Sequence, residues 1–137
     1  MPENRATILA YYEAFAHGDI PGMLALLHPD VEFRSAEQFI YADRNPYLGR
    51  SGVEQFMQRL TADWDGFKVL PDEIQGAGDL VIARGLYMGT FKATGFRLQA
   101  EYVHVFRFKD GKIVLQHTYT DTAQFRDAVV RSREAGG

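Results

Sequence analysis

Hydrophobic residues in the first part of the chain recur at helical spacing. One stripe repeats every three or four residues and predicts a first helix that ends near Gly18: Ile8, Tyr11, Tyr12 and Phe15. Asp19 is placed to cap a second short helix, which has Pro21 in its first turn. Ser51-Gly-Val-Glu54 has the form of a capping box, and apolar residues follow it at helical spacing. The pattern therefore predicts three helices, with a short strand at 31–34 between the second and the third.

From residue 72 onwards, segments rich in β-branched and aromatic residues are separated by turns that contain glycine. They predict four strands: Asp72–Ala77, Leu80–Phe91, Arg97–Phe108 and Lys112–Thr120. Asp110-Gly111 is a strong signal for a tight hairpin turn. Because consecutive hairpins join neighbouring strands, we expect an antiparallel sheet. A second capping box, Asp121-Thr-Ala-Gln124, predicts a short C-terminal helix.

Helices that precede an antiparallel meander are typical of an α+β fold. Long twisted strands curl, and three helices can cover only one side of a curled sheet. We therefore expect a cone-shaped half-barrel, with three N-terminal helices packed on a curled antiparallel sheet and a short C-terminal helix. Residues 1–137 contain no linker or internal repeat and are interpreted as one domain. The irregular segment 35–50 is expected over the mouth of a tapered cavity, a usual place for ligands.

Composition narrows the classes of function. The formal net charge is −3 and the basic residues are scattered, which argues against a nucleic-acid surface. The chain has no cysteine, so thiol chemistry is excluded, and its four histidines lack paired metal-ligand spacing. No apolar run is long enough to span a membrane, and no signal sequence is evident, so a cytoplasmic location is expected. Aromatic residues reach 13%, which suits either a wall of rings around a cavity or ordinary core packing.

Four segments of the chain resemble the nuclear transport factor 2-like superfamily, especially its SnoaL-like and ketosteroid isomerase-like branch. They occur in the order and spacing of that family: Tyr11–Asp19, Leu26–Phe33, Gly49–Phe56 and Phe106–Val114. The resemblance implies a cone-shaped fold, a pocket for a small apolar or carbonyl-containing molecule, and a homodimer formed through the sheet. It leaves the activity open, because this fold hosts isomerases, cyclases, lyases and domains without chemistry.

The resemblance also assigns expected roles to three positions. Tyr11 lies where the isomerase pattern has a tyrosine that donates a hydrogen bond to the enolate oxygen, and His104 lies at the second such position. The position of the general base falls on Ser35, which is no base at neutral pH without an activating partner. Ordinary ketosteroid isomerase activity is therefore not expected. His104 is interpreted either as the catalytic acid or base or as a core histidine bonded to a neighbour. Tyr11 is likewise either the hydrogen-bond donor or a core aromatic residue, and Tyr12 can exchange roles with it.

The remaining candidates are assigned to ligand binding. Arg84 shares a strand face with Met88 and can bind an anionic group if that face is concave; otherwise it pairs with an acid outside. Gln116, Thr118 and Thr120 alternate on the last strand, and register with the family turns them inward. The opposite register would instead turn His117 and Tyr119 toward the pocket. Three aromatic residues complete the expected wall of the pocket: Tyr12, Trp64 and Tyr102.

Two functions from different classes follow. The first is an enzyme of isomerase, cyclase or lyase type that needs no cofactor or metal and transfers a proton on an apolar carbonyl-containing ligand. In it, His104 is the acid or base and Tyr11 the hydrogen-bond donor. The second is a non-catalytic ligand-binding or dimerisation domain, which the absence of an aspartate base favours. The apolar Val103 and Val105 on the outer face support a homodimer.

Overall fold

The computed structural model describes residues 2–136, with side chains described for residues 4–130. In this part of the chain the helices are α1 (Pro2–Ala16), α2 (Ile20–Ala25), α3 (Gly49–Asp63) and α4 (Thr122–Gly136). The strands are β1 (Leu27–Arg34), β2 (Tyr47–Leu48), β3 (Trp64–Ala77), β4 (Leu80–Phe91), β5 (Arg97–Lys109) and β6 (Lys112–Thr120). A single turn of 3₁₀ helix, Ala42–Arg44, lies between β1 and β2.

All six strands of the described residues belong to one curled, open sheet in the order β2-β1-β6-β5-β4-β3. The strands β3 to β6 form the antiparallel meander that the turn signals predict. The expectation of a wholly antiparallel sheet is wrong at one place, because β1 pairs with β6 in parallel. A hairpin signal specifies only strands that follow each other directly, whereas one helix, one 3₁₀ turn and four strands separate β1 from β6. The α+β fold class itself is confirmed.

The helices cover the concave face of the sheet with the side chains that the periodicity selects. On α1, Ile8, Tyr11 and Tyr12 are buried. On α3 the buried face consists of Val53, Phe56, Met57 and Leu60. The helix α1 packs on β3, while α3 packs on β1. The core therefore lies between the helices and the sheet, and side chains on the other sheet face point outward.

Two of the three helix starts predicted from capping residues, those of α2 and α3, differ in outcome. The carboxylate of Asp19 accepts a hydrogen bond of 2.9 Å from the backbone N–H of Gly22, as expected for the cap of α2. The helix α3 begins at Gly49, before the capping box at 51–54, and its N-cap Leu48 offers no side-chain hydrogen bond. Ser51 therefore does not cap α3. The first helix turn begins where β2 ends, so the strand pairing of Leu48 with Glu32 helps to set its position.

An irregularity in the pairing of β3 with β4 brings two backbones close together at Gly85. The register shifts between Pro71 and Glu73, and a Cβ atom added to Gly85 would lie 2.1 Å from the carbonyl oxygen of Leu70. Such a Cβ cannot be accommodated unless the β3 backbone moves. Glycine is required at this position because the strand opposite it bulges inward.

The change Gly85→Ala is expected to lower the free energy of unfolding by about 1–3 kcal/mol, the usual cost of forcing extra atoms into a packed site. Gly76→Ala on the paired strand is the matched control, because its Cβ would meet its nearest neighbour at 3.5 Å, an ordinary contact. Urea unfolding of both variants gives the comparison. Equal stability of the two variants would contradict the close approach.

No helix of the described residues is long and apolar enough to cross a membrane.

Candidate functional site

A cavity of about 50 Å³ lies between the helices and the concave face of the sheet. Its wall is mostly aromatic and aliphatic, and residues from every helix before the meander contribute to it. The polar side chains that line it are Tyr11, Tyr12, Ser35, Tyr87, His104, Gln116 and Thr118. Among the described residues, no Asp, Glu, Lys or Arg lines the cavity. The volume is enough for a few water molecules only, since one water needs at least about 10–15 Å³ of such space.

His104 bridges two tyrosines at the wall of this cavity. Its Nδ1 lies 2.8 Å from the hydroxyl oxygen of Tyr12 on α1, and its Nε2 is in hydrogen-bond contact with the hydroxyl of Tyr87 on β4. The imidazole is buried, and burial lowers its pKa to about 3. His104 is therefore neutral near pH 7. Both ring nitrogens are occupied by tyrosine hydroxyls, so neither is free to take a proton directly from a ligand.

Burial also raises the pKa of the tyrosine hydroxyls around His104. This holds for Tyr11, Tyr12 and Tyr87 on the cavity wall, and the pKa of Tyr102 rises to about 12 for the same reason. These hydroxyls keep their protons at all ordinary pH values and remain hydrogen-bond donors. The group consequently consists of uncharged donors and acceptors in an apolar surrounding.

The other predicted pocket residues on β6 and beside β1 line the cavity as expected. Tyr11 donates a hydrogen bond of 2.7 Å from its hydroxyl to Oε1 of Gln116. Thr118 is buried opposite His104, its pairing partner on the neighbouring strand. Ser35 donates from its hydroxyl to Oδ1 of Asn45 at 2.9 Å, while the amide of Asn45 donates back to the Ser35 carbonyl oxygen. Ser35 therefore holds the segment after β1 in place, and no base contacts its hydroxyl in the described structure.

Two of the predicted ligand-binding residues lie on the wrong side of the sheet. Arg84 points outward, where its Nε donates to Oε1 of Glu73 at 2.8 Å and its Nη2 lies 3.8 Å from Asp72. Met88 is exposed on the same outer face. Their assignment to the pocket is wrong because alternate residues of β4 face opposite sides, and the inner set is that of Tyr87.

Trp64 and Tyr102 are buried next to the cavity rather than on its wall. The Trp64 ring packs against Phe67, Phe91 and Phe125 at centroid distances of 5.0–5.6 Å. The Tyr102 ring lies over His104 at 4.2 Å. Neither the Nε1–H of Trp64 nor the hydroxyl of Tyr102 makes a hydrogen bond of good geometry within the described residues. Direct contact of these two residues with a ligand therefore stays a prediction.

The segment between β1 and α3 carries Ser35 and Phe39 to one end of the cavity and is fastened to α3. Arg59 donates to the carboxylate of Asp43 at 2.9 Å and to the hydroxyl of Tyr47 at 2.8 Å. The hydroxyl of Tyr41 donates to Asp63 at 2.6 Å. Asp43 and Tyr41 are thus committed to structural contacts, and neither supplies a base to the cavity. The described residues also contain no cluster of three or more metal-ligating side chains.

Tyr87 is the residue of the site that sequence reasoning missed. A usable signal existed in the hairpin that joins β4 to β5, because residues paired across an antiparallel sheet share a face. Ala83 pairs with His104 and Tyr87 pairs with Ala100. Since His104 is predicted to face the pocket, the same register places Tyr87 inward and Arg84 outward.

The depressed pKa of His104 predicts a pH dependence of stability. The unfolded chain takes up this proton near the ordinary histidine pKa of about 6.5, while folded His104 takes it up only near pH 3. The stability contribution is therefore complete above pH 6.5 and falls by about 1.4 kcal/mol per unit as the pH decreases between these values. Urea unfolding at pH 7, 6, 5 and 4 measures it, with His104→Gln as the comparison because it lacks the titrating group. Identical pH slopes for the wild type and this variant would contradict the prediction.

The comparisons with known proteins agree with the fold. The family model of the SnoaL-like domain matches residues 8–116. An NTF2-like protein of Burkholderia thailandensis has 30% identity and a TM-score of 0.85, with 92% of this chain and 96% of that chain covered. TerC, co-crystallised with polyporic acid, has 28% identity and a TM-score of 0.84, with 93% and 98% covered.

A third solved structure is IdmH of Streptomyces antibioticus, a proposed polyketide cyclase. It has 25% identity and a TM-score of 0.78, with 93% of this chain and 98% of that chain covered. No curated protein matches the chain. The family match extends over most of the chain, from α1 into β6, and includes the whole wall of the cavity except Thr118. The chain therefore belongs to the SnoaL-like domain family of the nuclear transport factor 2-like superfamily.

Proposed function

We propose that this protein binds a neutral, largely apolar carbonyl compound in the cavity and promotes proton transfer next to the carbonyl group. The observation that carries the proposal is the composition of the cavity wall, in which rings and aliphatic side chains surround uncharged hydrogen-bonding groups. A few convergent polar groups in an apolar pocket are typical of small-molecule sites. The similarity to IdmH, a proposed polyketide cyclase, supports a ligand that contains carbonyl groups.

The cavity favours a neutral ligand over an anion. Transfer of a carboxylate from water into an apolar site is strongly unfavourable unless a cation compensates the charge. No lysine or arginine of the described residues lines the wall, and His104 is neutral because burial lowers its pKa to about 3. A carbonyl or hydroxyl group can instead accept or donate hydrogen bonds to the tyrosine, glutamine and threonine side chains.

Binding of a ring-sized molecule requires the wall to widen. The space of about 50 Å³ is well below the 300–1,000 Å³ of usual ligand sites. Met23 and Met57 are part of the wall, and methionine changes rotamer easily. Phe39, on the segment between β1 and α3, also lines the wall, and its ring packs against Phe56 and Phe125. We propose that these side chains move when the ligand enters.

The chemistry that fits an uncharged wall is stabilisation of an enolate by hydrogen-bond donors. Loss of a proton from the carbon next to a carbonyl group places negative charge on the carbonyl oxygen, and preorganised O–H donors stabilise that charge. The hydroxyls of Tyr11, Tyr12 and Tyr87 remain protonated because burial raises their pKa. In this proposal a water molecule takes the proton, since no carboxylate of the described residues faces the cavity.

The alternative is a domain that binds the same class of ligand without chemistry. The lack of a cavity carboxylate and the low pKa of His104 favour it, because a general base is most effective with a pKa near the working pH. The two functions share the ligand and differ in whether the bound ligand reacts.

One pair of probes tests both functions. The ketone 2-tetralone is neutral and has acidic protons beside its carbonyl group, while 2-naphthoate has the same bicyclic size and a negative charge. We expect 2-tetralone to bind and its exchange of these protons for deuterium in D₂O, followed by NMR, to be faster with protein than without. Binding without faster exchange would favour the non-catalytic domain. Equal binding of 2-naphthoate would contradict the proposal for a neutral ligand.

We also propose a homodimer formed through the outer face of the sheet. Leu70, Ile82, Met88 and Tyr119 are exposed there, and the half-buried Val103 lies between them on β5. Such an apolar group on a sheet face is typical of a protein contact. Light scattering at micromolar concentration is expected to give twice the monomer mass of 15.5 kDa, and a mass near 15.5 kDa would contradict the dimer.

A further inference from the structure

The two hydrogen bonds of His104 limit how its neighbours can share their protons. A neutral imidazole has one N–H donor and one bare nitrogen that accepts. One of the two tyrosines must therefore donate its hydroxyl proton to His104, while the other accepts the N–H of His104. The accepting tyrosine keeps its own O–H free to point elsewhere. In either tautomer, one of the two tyrosine hydroxyl protons is free for a third partner.

The hydroxyl of Tyr102 indicates which of the two tyrosines, Tyr12 or Tyr87, donates its hydrogen bond to His104. Tyr102 is buried, its hydroxyl lies beside that of Tyr12, and it lacks a hydrogen bond of good geometry. A buried O–H donor needs an acceptor. If Tyr12 donates its own proton to Nδ1 of His104, its oxygen is left with lone pairs that can accept from Tyr102 after a small rotation. This arrangement satisfies three groups on one side of the imidazole: Tyr102, Tyr12 and Nδ1 of His104.

The other side of the imidazole then follows. With Nδ1 accepting, the proton of His104 is on Nε2 and is donated to the hydroxyl oxygen of Tyr87. The O–H of Tyr87 is then not used by His104, and Tyr87 lines the cavity beside the hydroxyl of Thr118. A carbonyl oxygen in the cavity is a suitable acceptor for this proton.

We infer that Tyr87 is the residue that donates a hydrogen bond to the ligand carbonyl oxygen, and that His104 is a positioning residue that directs the Tyr87 hydroxyl proton into the cavity. This inference rests on the proposed function only for the class of ligand. It replaces the role of acid or base that the sequence suggests for His104 with an indirect one. The proton of His104 stays on Nε2 throughout, so no bond forms or breaks at the imidazole.

The ligand-free protein gives the first test, which does not depend on the proposed function. In ¹⁵N NMR spectra at pH 7, the two ring nitrogens of a neutral histidine differ clearly according to which one carries the proton. We expect His104, identified by the signal that disappears in His104→Gln, to carry its proton on Nε2. A proton on Nδ1 would overturn the inference, because Tyr87 would then donate its proton to His104.

The carbonyl stretching band of bound 2-tetralone gives the second test. A hydrogen bond to the carbonyl oxygen moves this band to lower wavenumber. We expect Tyr87→Phe to return the band to higher wavenumber, and His104→Leu to do the same because it removes the N–H that orients Tyr87. His104→Gln is expected to keep the band low, since an amide also offers one donor and one acceptor. Tyr119→Phe removes an exposed hydroxyl on the outer face of the sheet, away from the cavity, and is expected to leave the band unchanged.

The outcomes separate this inference from the proposed function. If the band does not move in Tyr87→Phe, or moves equally in Tyr119→Phe, the assignment of the donor is overturned. If His104→Gln behaves like His104→Leu, the positioning role is overturned, because an amide would then fail to replace the imidazole. If 2-tetralone does not bind the wild-type protein, the proposed ligand class fails while the NMR test of the His104 tautomer still decides the proton arrangement.

Discussion

Replacing His104 with alanine is expected to lower the free energy of unfolding by about 3–5 kcal/mol. The change removes a buried ring and leaves a cavity, which alone costs about 2 kcal/mol or more for a large buried side chain. It also removes the partner of two buried hydroxyls, those of Tyr12 and Tyr87, and each unsatisfied buried polar group costs about 1–3 kcal/mol. The two hydroxyls can relieve part of this loss by bonding to each other or to water. Urea unfolding at pH 7 measures the effect.

His117→Ala is the matched control for this prediction. His117 lies on the adjacent strand but on the outer face, where it is half-buried and contacts Tyr119. We expect its loss to be below about 1 kcal/mol, as for most surface substitutions. A loss of similar size in both variants would contradict the prediction. It would mean that the two hydrogen bonds of His104 to the tyrosines contribute little to stability.

Much of the fold could be predicted from the sequence because local signals mark its elements. The alternation and turn residues between 80 and 120 specify β4, β5 and β6 within one residue of the observed ends. The stripe on α1 correctly selects its buried side chains. These elements are determined by periodicity and turn chemistry, both of which are local properties.

The parts that could not be predicted depend on contacts between distant segments. The parallel pairing of β1 with β6 joins residues more than eighty positions apart, and no local pattern specifies it. The strand β3 begins at Trp64, earlier than the alternation indicates, because its first part is paired with the end of β4. Residues 51–54 have the sequence pattern of a capping box, but the helix begins earlier, at Gly49.

Only part of the candidate site could be predicted, because some of its residues are also placed by contacts between distant segments. On β5, His104 could be picked out as a polar residue on an apolar face, whereas Gln116 and Thr118 on β6 were turned inward by register with the family; all three are buried. On β4 both faces contain apolar residues, so Arg84 and Tyr87 could not be assigned from alternation alone. The low pKa of His104 was also out of reach, since it depends on complete burial beneath α1. Its two tyrosine partners come from a helix and a strand that are distant in sequence.

Replacing Phe56 with alanine is expected to lower the free energy of unfolding by about 3–5 kcal/mol and to create a binding site for benzene. Phe56 lines the cavity and packs against four other rings at centroid distances of 4.6–6.2 Å: Phe33, Phe39, Tyr41 and Tyr47. Truncation of a buried phenylalanine usually costs this much, because the surroundings close only partly around the vacated space. Apolar cavities of this kind remain dry and take up benzene.

The measurement is a pair of thermal melts of Phe56→Ala, with and without benzene. A ligand that binds only the folded state raises the melting temperature by mass action, so benzene is expected to recover part of the lost stability. Gln55→Ala is the matched control, since Gln55 is exposed on the same helix and its change leaves the wall intact. We expect benzene to stabilise Phe56→Ala more than the wild type, because the vacated space adds to the existing cavity of about 50 Å³. A small stability loss with no benzene effect would contradict the prediction. It would show that the neighbouring rings move into the vacated space, so that the cavity volume is set by the movement of its wall and not by Phe56.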